Sequence, residues 1–172
     1  MSQLTITALN QLEPQAFTET LSGIYESSPW VPQKTFSKAP FEDLSKLAQA
    51  LQDTVMQASR QNKLELIQAH PDLGGKLGRK TELTPESQRE QSRLALDALN
   101  DSEFEEFHHL NQTYREKFGF PFIICVGLVS DRQEILTAFR RRIALTPDEE
   151  FNEALTQIHH IALLRLKALI EA

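Results

Sequence analysis

The sequence has 172 residues, of which 40% are hydrophobic and 24% charged, a composition typical of one globular domain with a sizeable core. Its formal net charge of −6 argues against a nucleic-acid partner, and no apolar run approaches the roughly 20 residues of a membrane span. Cys125 is the single cysteine, which excludes an internal disulfide and a cysteine-rich metal site and favours a cytoplasmic location.

Apolar residues spaced three and four apart predict helices in the first half of the chain. The first stripe follows Pro14, is expected to end before the SSPW stretch, and consists of Phe17, Leu21, Ile24 and Tyr25. The stretch WVPQKTFSKAPF is predicted to be a connector. The second stripe consists of Leu44, Leu47, Leu51 and Val55, and a short third helix is expected over residues 62–69.

Helix-start and helix-stop signals dominate the second half. GGKLGRKTEL is predicted to be a loop, after which Thr84 and Pro85 begin a helix. Ser102 and Glu105 suggest a capping box before a helix that ends at Gly119. The apolar stretch FIICVGL could be a buried strand or the opening of a helix.

Two further helix starts are predicted, at Asp131 with Glu134 and at Thr146 with Pro147, and the last helix is expected to run to the C-terminus. The predicted fold class is all-α: one compact bundle of about seven to nine helices that spans residues 1–172.

Polar residues on predicted core faces are the candidates for function. Ser87, Glu90 and Gln91 share one face with four apolar positions further along the same predicted helix, Leu94, Ala95, Ala98 and Leu99. A hydroxyl, a carboxylate and an amide at a helix start suit a small polar ligand. The alternative is that Ser87 and Glu90 merely cap or solvate that turn.

Arg165 lies on the apolar line of the last helix, which is formed by Phe151, Leu155, Ile158, Ala162 and Leu169. A buried guanidinium needs an anionic partner, which could be Glu90, another acidic residue or a substrate carboxylate. The alternatives are an arginine that reaches the surface or an interhelical ion pair.

His70 ends a short apolar helix and directly precedes Pro71, which fixes the direction of the chain there. Its imidazole changes protonation near neutral pH, so it is the obvious acid/base candidate. The alternative is a helix-ending histidine bonded to the backbone. Asp72 could orient His70 or cap the following turn.

Other signals favour structural roles. The histidine pairs at 108–109 and 159–160 lack the i, i+4 spacing of a helical zinc site, so no metal is expected. Arg140, Arg141 and Arg142 are expected on a solvated face or in a subunit contact. Cys125, in an apolar run without a neighbouring base, is expected to be a buried structural thiol.

Five separated segments together match one family in order and spacing: YESSPW, AHPDLGGK, LTPESQREQ, LNQTYREKFGFPFIICV and IHHIALLRL. On these, almost the whole chain resembles the decarboxylases of 2-oxo-4-hydroxy-4-carboxy-5-ureidoimidazoline (OHCU), which complete the conversion of urate to (S)-allantoin. One departure is Ser27, where many members have histidine, and it leaves the role of its segment open.

The resemblance implies an all-α homodimer that acts on OHCU as a carboxy-lyase without cofactor or metal. It implies two catalytic residues, His70 and Glu90. It also implies a set of substrate-binding residues: Pro71, Ser87, Gln88, Arg89, Glu90, Gln91, Phe122, Ile123, Ile124, Cys125, Val126 and Arg165.

Two other functions fit part of this pattern. A non-catalytic helical protein that binds a small anionic metabolite would explain Arg165 and the polar face at Ser87, but it gives His70 no task. A pure interaction module predicts no pocket that joins His70, Glu90 and Arg165.

Overall fold

A computed structural model describes residues 4–73, 84–94, 96 and 99–171 of the chain. Within them it forms two short parallel strands, β1 (Leu4–Thr5) and β2 (Ile170–Glu171), and nine α-helices: α1 (Ile6–Leu9), α2 (Pro14–Thr20), α3 (Trp30–Thr35), α4 (Leu44–Met56), α5 (Arg60–Gln68), α6 (Pro85–Arg93), α7 (Asp101–Phe118), α8 (Arg132–Ile143) and α9 (Pro147–Leu169). The predicted helical class and helix number are confirmed. None of these helices is long and apolar enough to cross a membrane.

The chain divides into two compact units. The first contains residues 1–69 and 159–172, and the second contains residues 70–158. In the first unit α3 packs against α2 and α4, and β1 pairs with β2 in register from Leu4 with Ile170. Its core is built from the apolar faces of these helices and includes Phe17, Leu21, Val31, Leu47, Leu51 and Val55.

The second unit packs α7 against α8 around a cluster of aromatic rings. Tyr114 lies at its centre, in edge-to-face contact with the rings of Phe120, Phe122 and Phe139. The rings of Phe122 and Phe139 stack at a centroid distance of 3.8 Å. Such rings bury large apolar areas, so this cluster is the main core of the unit.

Local capping chemistry explains the starts of most long helices. Thr84 and Asp131 cap α6 and α8 as predicted, and each side chain accepts the backbone N–H three residues on. Gly119 ends α7 with a left-handed φ of 79°, also as predicted. The capping box of α7 lies two residues earlier than predicted, at Asn100 with Glu103, because Asn100 has the extended backbone that a cap requires.

Several predicted boundaries were wrong. The stretch expected to be a connector contains α3 and a 3-10 turn at Phe36–Lys38; Pro32 fits there because a first-turn residue has no intrahelical acceptor for its N–H. α2 ends at Thr20, α5 begins two residues early after its cap Ser59, and α6 ends at Arg93.

Two further outcomes concern the second half of the chain. FIICVGL is neither strand nor α-helix: residues 121–125 have no regular structure, and a 3-10 turn follows at Val126–Leu128. α9 stops before the C-terminus, because the next two residues pair as β2. The predicted GGKLGRKTEL loop lies outside the described residues.

Candidate functional site

His70 is the first residue of the second unit and lies just beyond the end of α5. Ala69 still has helical backbone angles, and Pro71 cannot continue a helix without losing a hydrogen bond. His70 is 7% exposed, so it lies in a largely dehydrated environment. It is therefore a buried titratable group just beyond a helix end, which makes it a candidate for acid/base chemistry.

Side chains from two helices hold the backbone that follows His70. Gln91 on α6 donates from Nε2 to the carbonyl of Asp72 at 3.2 Å, and Asn111 on α7 donates from Nδ2 to the carbonyl of Leu73 at 2.8 Å. Arg115 on α7 pairs with Asp72 Oδ1 at 2.8 Å. The stretch after His70 is thus tied to α6 and α7.

Asn111 and Arg115 are site residues that the sequence interpretation missed. For Asn111 a signal was available, because Phe107, Asn111 and Tyr114 are spaced by four and three along α7 and all three are buried. A polar residue among the buried positions of a helix is the pattern that also identified Arg165 as a candidate. Arg115 gave none, since it is an exposed arginine on a helix surface.

α6 carries the predicted polar face. Ser87 and Gln91 are buried and Glu90 is half-buried, whereas Gln88 and Arg89 are exposed. Leu94 and Leu99 are half-buried but lie beyond the end of the helix, and Ala95 and Ala98 lie outside the described residues. Within the helix, the inward face therefore includes the hydroxyl, the carboxylate and the amide that were predicted.

The predicted substrate segment, residues 122–126, is buried, and the turn at Val126–Leu128 lies against α6. Cys125 is buried, as predicted, and its backbone N–H donates to Gln157 Oε1 at 2.9 Å. The carbonyl of Ile123 accepts a hydrogen bond from Arg142 Nη1 at 2.6 Å. α6 therefore contacts this turn and, through Gln91, the backbone after His70.

Arg142 is not on a solvated face, so that expectation was wrong. Its side chain is 1% exposed, because Ile135, Phe139 and Arg142 form the buried line of α8. It forms an ion pair with the fully buried Glu150, with Nε at 2.8 Å from Oε1, and its guanidinium lies 4.3 Å from the ring centroid of Phe122. Arg140 and Arg141 are exposed, as expected.

Tyr114 completes this buried network by donating its hydroxyl to Glu150. Burial raises the pKa of the Tyr114 hydroxyl well above its ordinary value, and the hydrogen bond and negative charge of Glu150 raise it further. Tyr114 is therefore a neutral donor at physiological pH.

Arg165 lies in the first unit, and its predicted burial is confirmed. Nη2 donates to Glu26 Oε2 and Nη1 to the carbonyl of Gly23, both at 3.0 Å. Of the partners that the sequence left open, the one found is therefore another acidic residue, Glu26. The other predicted site residues belong to the second unit.

In the described part of the chain no group of three or more histidine, cysteine, aspartate or glutamate side chains is arranged to hold a metal ion. The chemistry available in the second unit is that of an imidazole, a carboxylate, a hydroxyl, an amide and backbone groups. Such a set can bind a compound rich in amide groups and can move a proton.

Comparisons with known proteins agree with this chemistry. The family described as OHCU decarboxylase matches residues 10–167. A 2-oxo-4-hydroxy-4-carboxy-5-ureidoimidazoline decarboxylase of Halalkalicoccus jeotgali is 44% identical over 169 residues, which cover 98% of this chain and 93% of that protein. A protein of the same name in Haloferax volcanii is 41% identical and covers 96% of each chain.

Two solved structures are also similar. A crystal structure of (S)-allantoin synthase has a TM-score of 0.79 and 34% identity, and the match covers 98% of this chain and 54% of that one, so this chain spans about half its length. A crystal structure of OHCU decarboxylase in the presence of (S)-allantoin has a TM-score of 0.69 and 26% identity, over 87% of this chain and 96% of that one. This chain belongs to the OHCU decarboxylase family.

Proposed function

We propose that this protein is a decarboxylase that converts OHCU to (S)-allantoin in urate degradation and needs no cofactor. Family membership over residues 10–167 supports the reaction. The observation that carries the proposal is the buried polar set of the second unit, in which α6 contacts the turn after residues 121–125 and, through Gln91, holds the backbone after His70.

The substrate itself explains why amino-acid side chains can suffice. Its carboxylate is attached to a ring carbon that carries a hydroxyl, next to a ring carbon in a C=N bond. When the bond to CO2 breaks, the electron pair moves toward that C=N group, so the substrate provides its own electron sink. The nitrogen of that C=N group takes up one proton, and a second proton adds to the carbon bearing the ureido group. The hydroxyl becomes a carbonyl as it loses its proton, so the reaction consumes one proton in total.

His70 and Glu90 are the residues to which we assign the proton transfers. The nearly complete burial of His70 shields its imidazole from bulk water, and Glu90 lies on the inward side of α6. An imidazole can take the hydroxyl proton and can also deliver a proton to the developing carbanion. Delivery to one face of that carbon would make the product a single enantiomer.

The remaining predicted residues would bind the ring and the ureido group. Ser87 and Gln91 offer a hydroxyl and an amide from α6, beside Gln88 and Arg89, and residues 122–126 offer backbone groups in a dry environment. Pro71 would contact the substrate next to His70. Arg165, whose charge is already paired with Glu26, would contribute N–H donors.

Three broader expectations come from the sequence and, for the homodimer, from the family resemblance. We propose that residues 1–172 act as one functional domain, that the protein is a homodimer and that it works in the cytoplasm. The oligomeric state can be measured by light scattering coupled to gel filtration, where a monomer mass would contradict the second expectation.

The reaction is best tested on substrate that is made in place. Urate, urate oxidase and 5-hydroxyisourate hydrolase generate OHCU, and optical activity reports the product. We expect the protein to accelerate the reaction and to yield enantiopure (S)-allantoin. A racemic product formed at the spontaneous rate would contradict the proposal and would favour a protein that merely binds a small anionic metabolite.

A further inference from the structure

Residues 121–125 form no helix or sheet, so side chains must hold this backbone in place. Two of them do so from different helices of the second unit. Arg142 on α8 donates to the carbonyl of Ile123 at 2.6 Å, and Gln157 on α9 accepts the N–H of Cys125 at 2.9 Å. These two contacts lie on either side of Ile124.

Arg142 is itself rigidly held. Nε and Nη2 both donate to Glu150, so the planar guanidinium cannot rotate away from Nη1 and the Ile123 carbonyl. The ring of Phe122 lies against the same guanidinium, and Tyr114 fixes the carboxylate of Glu150. Burying this ion pair is costly unless its hydrogen bonds are used well. The charge-assisted hydrogen bond from Arg142 to the Ile123 carbonyl is one of these hydrogen bonds.

Gln157 is oriented by its own neighbour on α9. Its Nε2 donates to Glu153 Oε1 at 3.1 Å, which leaves Oε1 directed at the N–H of Cys125. Both side chains are half-buried, so substitutions here disturb the core less than substitutions at Arg142.

Peptide geometry determines where Ile124 directs its polar groups. The peptide bonds here are trans, so the N–H of Ile124 points opposite to the Ile123 carbonyl, and the Ile124 carbonyl points opposite to the Cys125 N–H. Both groups of Ile124 therefore face away from Arg142 and Gln157. Within the described residues neither group has a hydrogen-bond partner, although Ile124 is buried.

We infer that Arg142 and Gln157 are positioning residues, which orient the backbone N–H and carbonyl of Ile124 as a donor–acceptor pair for the amide or ureido group of the substrate. The inference rests on the proposed function. It gives the buried pair of Arg142 and Glu150 a role beyond folding. Loss of the Arg142 contact to the Ile123 carbonyl, or of the Gln157 contact to the Cys125 N–H, would let the peptide groups of Ile124 rotate.

The test uses Gln157→Leu, which removes the acceptor for Cys125 but keeps the size of the side chain. Its matched control is the double variant Glu153→Gln/Gln157→Glu, which reverses the helix pair and restores an acceptor at position 157. We expect Gln157→Leu to lower kcat/KM on OHCU about tenfold or more, since small misplacements at a reacting centre are costly. We also expect weaker binding of (S)-allantoin, with the double variant close to the unchanged protein in both respects.

Arg142→Lys is a second, independent variant. A lysine ammonium can pair with Glu150, but it lacks the planar set of N–H donors with which the guanidinium binds Glu150 and the Ile123 carbonyl at the same time. We expect the same loss of (S)-allantoin affinity and a lower enantiomeric excess of the product, with circular dichroism reporting whether the fold is kept. If this variant fails to fold, Gln157→Leu decides alone.

Two results would overturn the inference: turnover and (S)-allantoin affinity of Gln157→Leu within about twofold of the unchanged protein, or a loss that the double variant does not restore. Both leave the proposed function intact, because the unchanged protein is active in each. A lack of acceleration by the unchanged protein would instead overturn the proposed function and this inference with it.

Discussion

Arg165 Nη2 and Glu26 Oε2 lie 3.0 Å apart, and both side chains are buried in the first unit. The second amino group of the same guanidinium binds the carbonyl of Gly23. A buried ion pair of this kind compensates two charges that would each be costly alone. The sequence left the role of the Glu26 segment open, because Ser27 stands where many family members have histidine. The ion pair gives this segment a structural role.

The first prediction concerns this pair. Glu26→Leu leaves a buried guanidinium without its carboxylate and should lower the free energy of unfolding by about 3–5 kcal/mol. Arg165→Met should cost a similar amount, and the double variant should be clearly more stable than the sum of the two losses implies. Urea denaturation of the four proteins measures this.

The exposed ion pair of Arg140 with Glu106 is the control. Because solvent screens it, Arg140→Met should change the free energy of unfolding by less than about 1 kcal/mol. Strictly additive losses at Glu26 and Arg165 would contradict the coupling.

The sequence predicts most strongly what depends on local chemistry. The cap at Thr84, the cap at Asp131 and the left-handed Gly119 each follow from a few adjacent residues, and each is found as predicted. The buried face of α6 also follows from spacing, as Ser87 and Gln91 demonstrate.

What the sequence could not predict depends on partners distant along the chain. Arg142 was expected to be solvated as one of three consecutive arginines, and only the tertiary position of Glu150 and Phe122 makes its burial tolerable. The irregular backbone of residues 121–125 likewise depends on side chains of α8 and α9. Its β-branched residues alone would equally suit a strand.

The second prediction tests the acid/base role of His70. His70→Asn keeps a polar side chain but cannot exchange a proton near neutral pH, so kcat on freshly generated OHCU should fall about 10²–10⁴-fold. His109→Asn is the control, since His109 is exposed on α7, and it should leave kcat unchanged. Near-normal turnover of the His70 variant would exclude the histidine from the proton transfers.

The third prediction separates two contacts that hold the backbone after His70. Asn111→Leu leaves the buried carbonyl of Leu73 without the Asn111 amide, and should lower the free energy of unfolding by about 1–3 kcal/mol. Arg115→Met removes an ion pair in which Arg115 is 48% exposed, and should cost less than about 1 kcal/mol. Thermal or urea unfolding of both variants makes the comparison, and a larger loss for Arg115→Met would show that the surface pair is the stronger tie.

The last prediction concerns His159, which lies in the first unit between Tyr25 and Met56. Burial lowers the pKa of its imidazole from 6.5 to about 4, and the positive charge of His160 adds to this effect. Its Nδ1 lies 3.0 Å from the hydroxyl of Tyr25, whose own pKa is raised by burial, and its Nε2 lies 3.4 Å from Met56 Sδ. His159 is therefore neutral in the folded protein at physiological pH.

The pKa difference fixes the direction of the pH dependence. Between pH 6.5 and about 4 the unfolded chain binds a proton at His159 that the folded chain does not, so stability falls as the pH is lowered through this window. Carboxylates titrate in the same range, so the informative quantity is the difference between the protein and His159→Gln, which retains a polar group near Tyr25. In urea unfolding at a series of pH values, acidification should lower the stability of His159→Gln less than that of the unchanged protein. Parallel curves for His159→Gln and the unchanged protein would mean that His159 takes up no proton on unfolding.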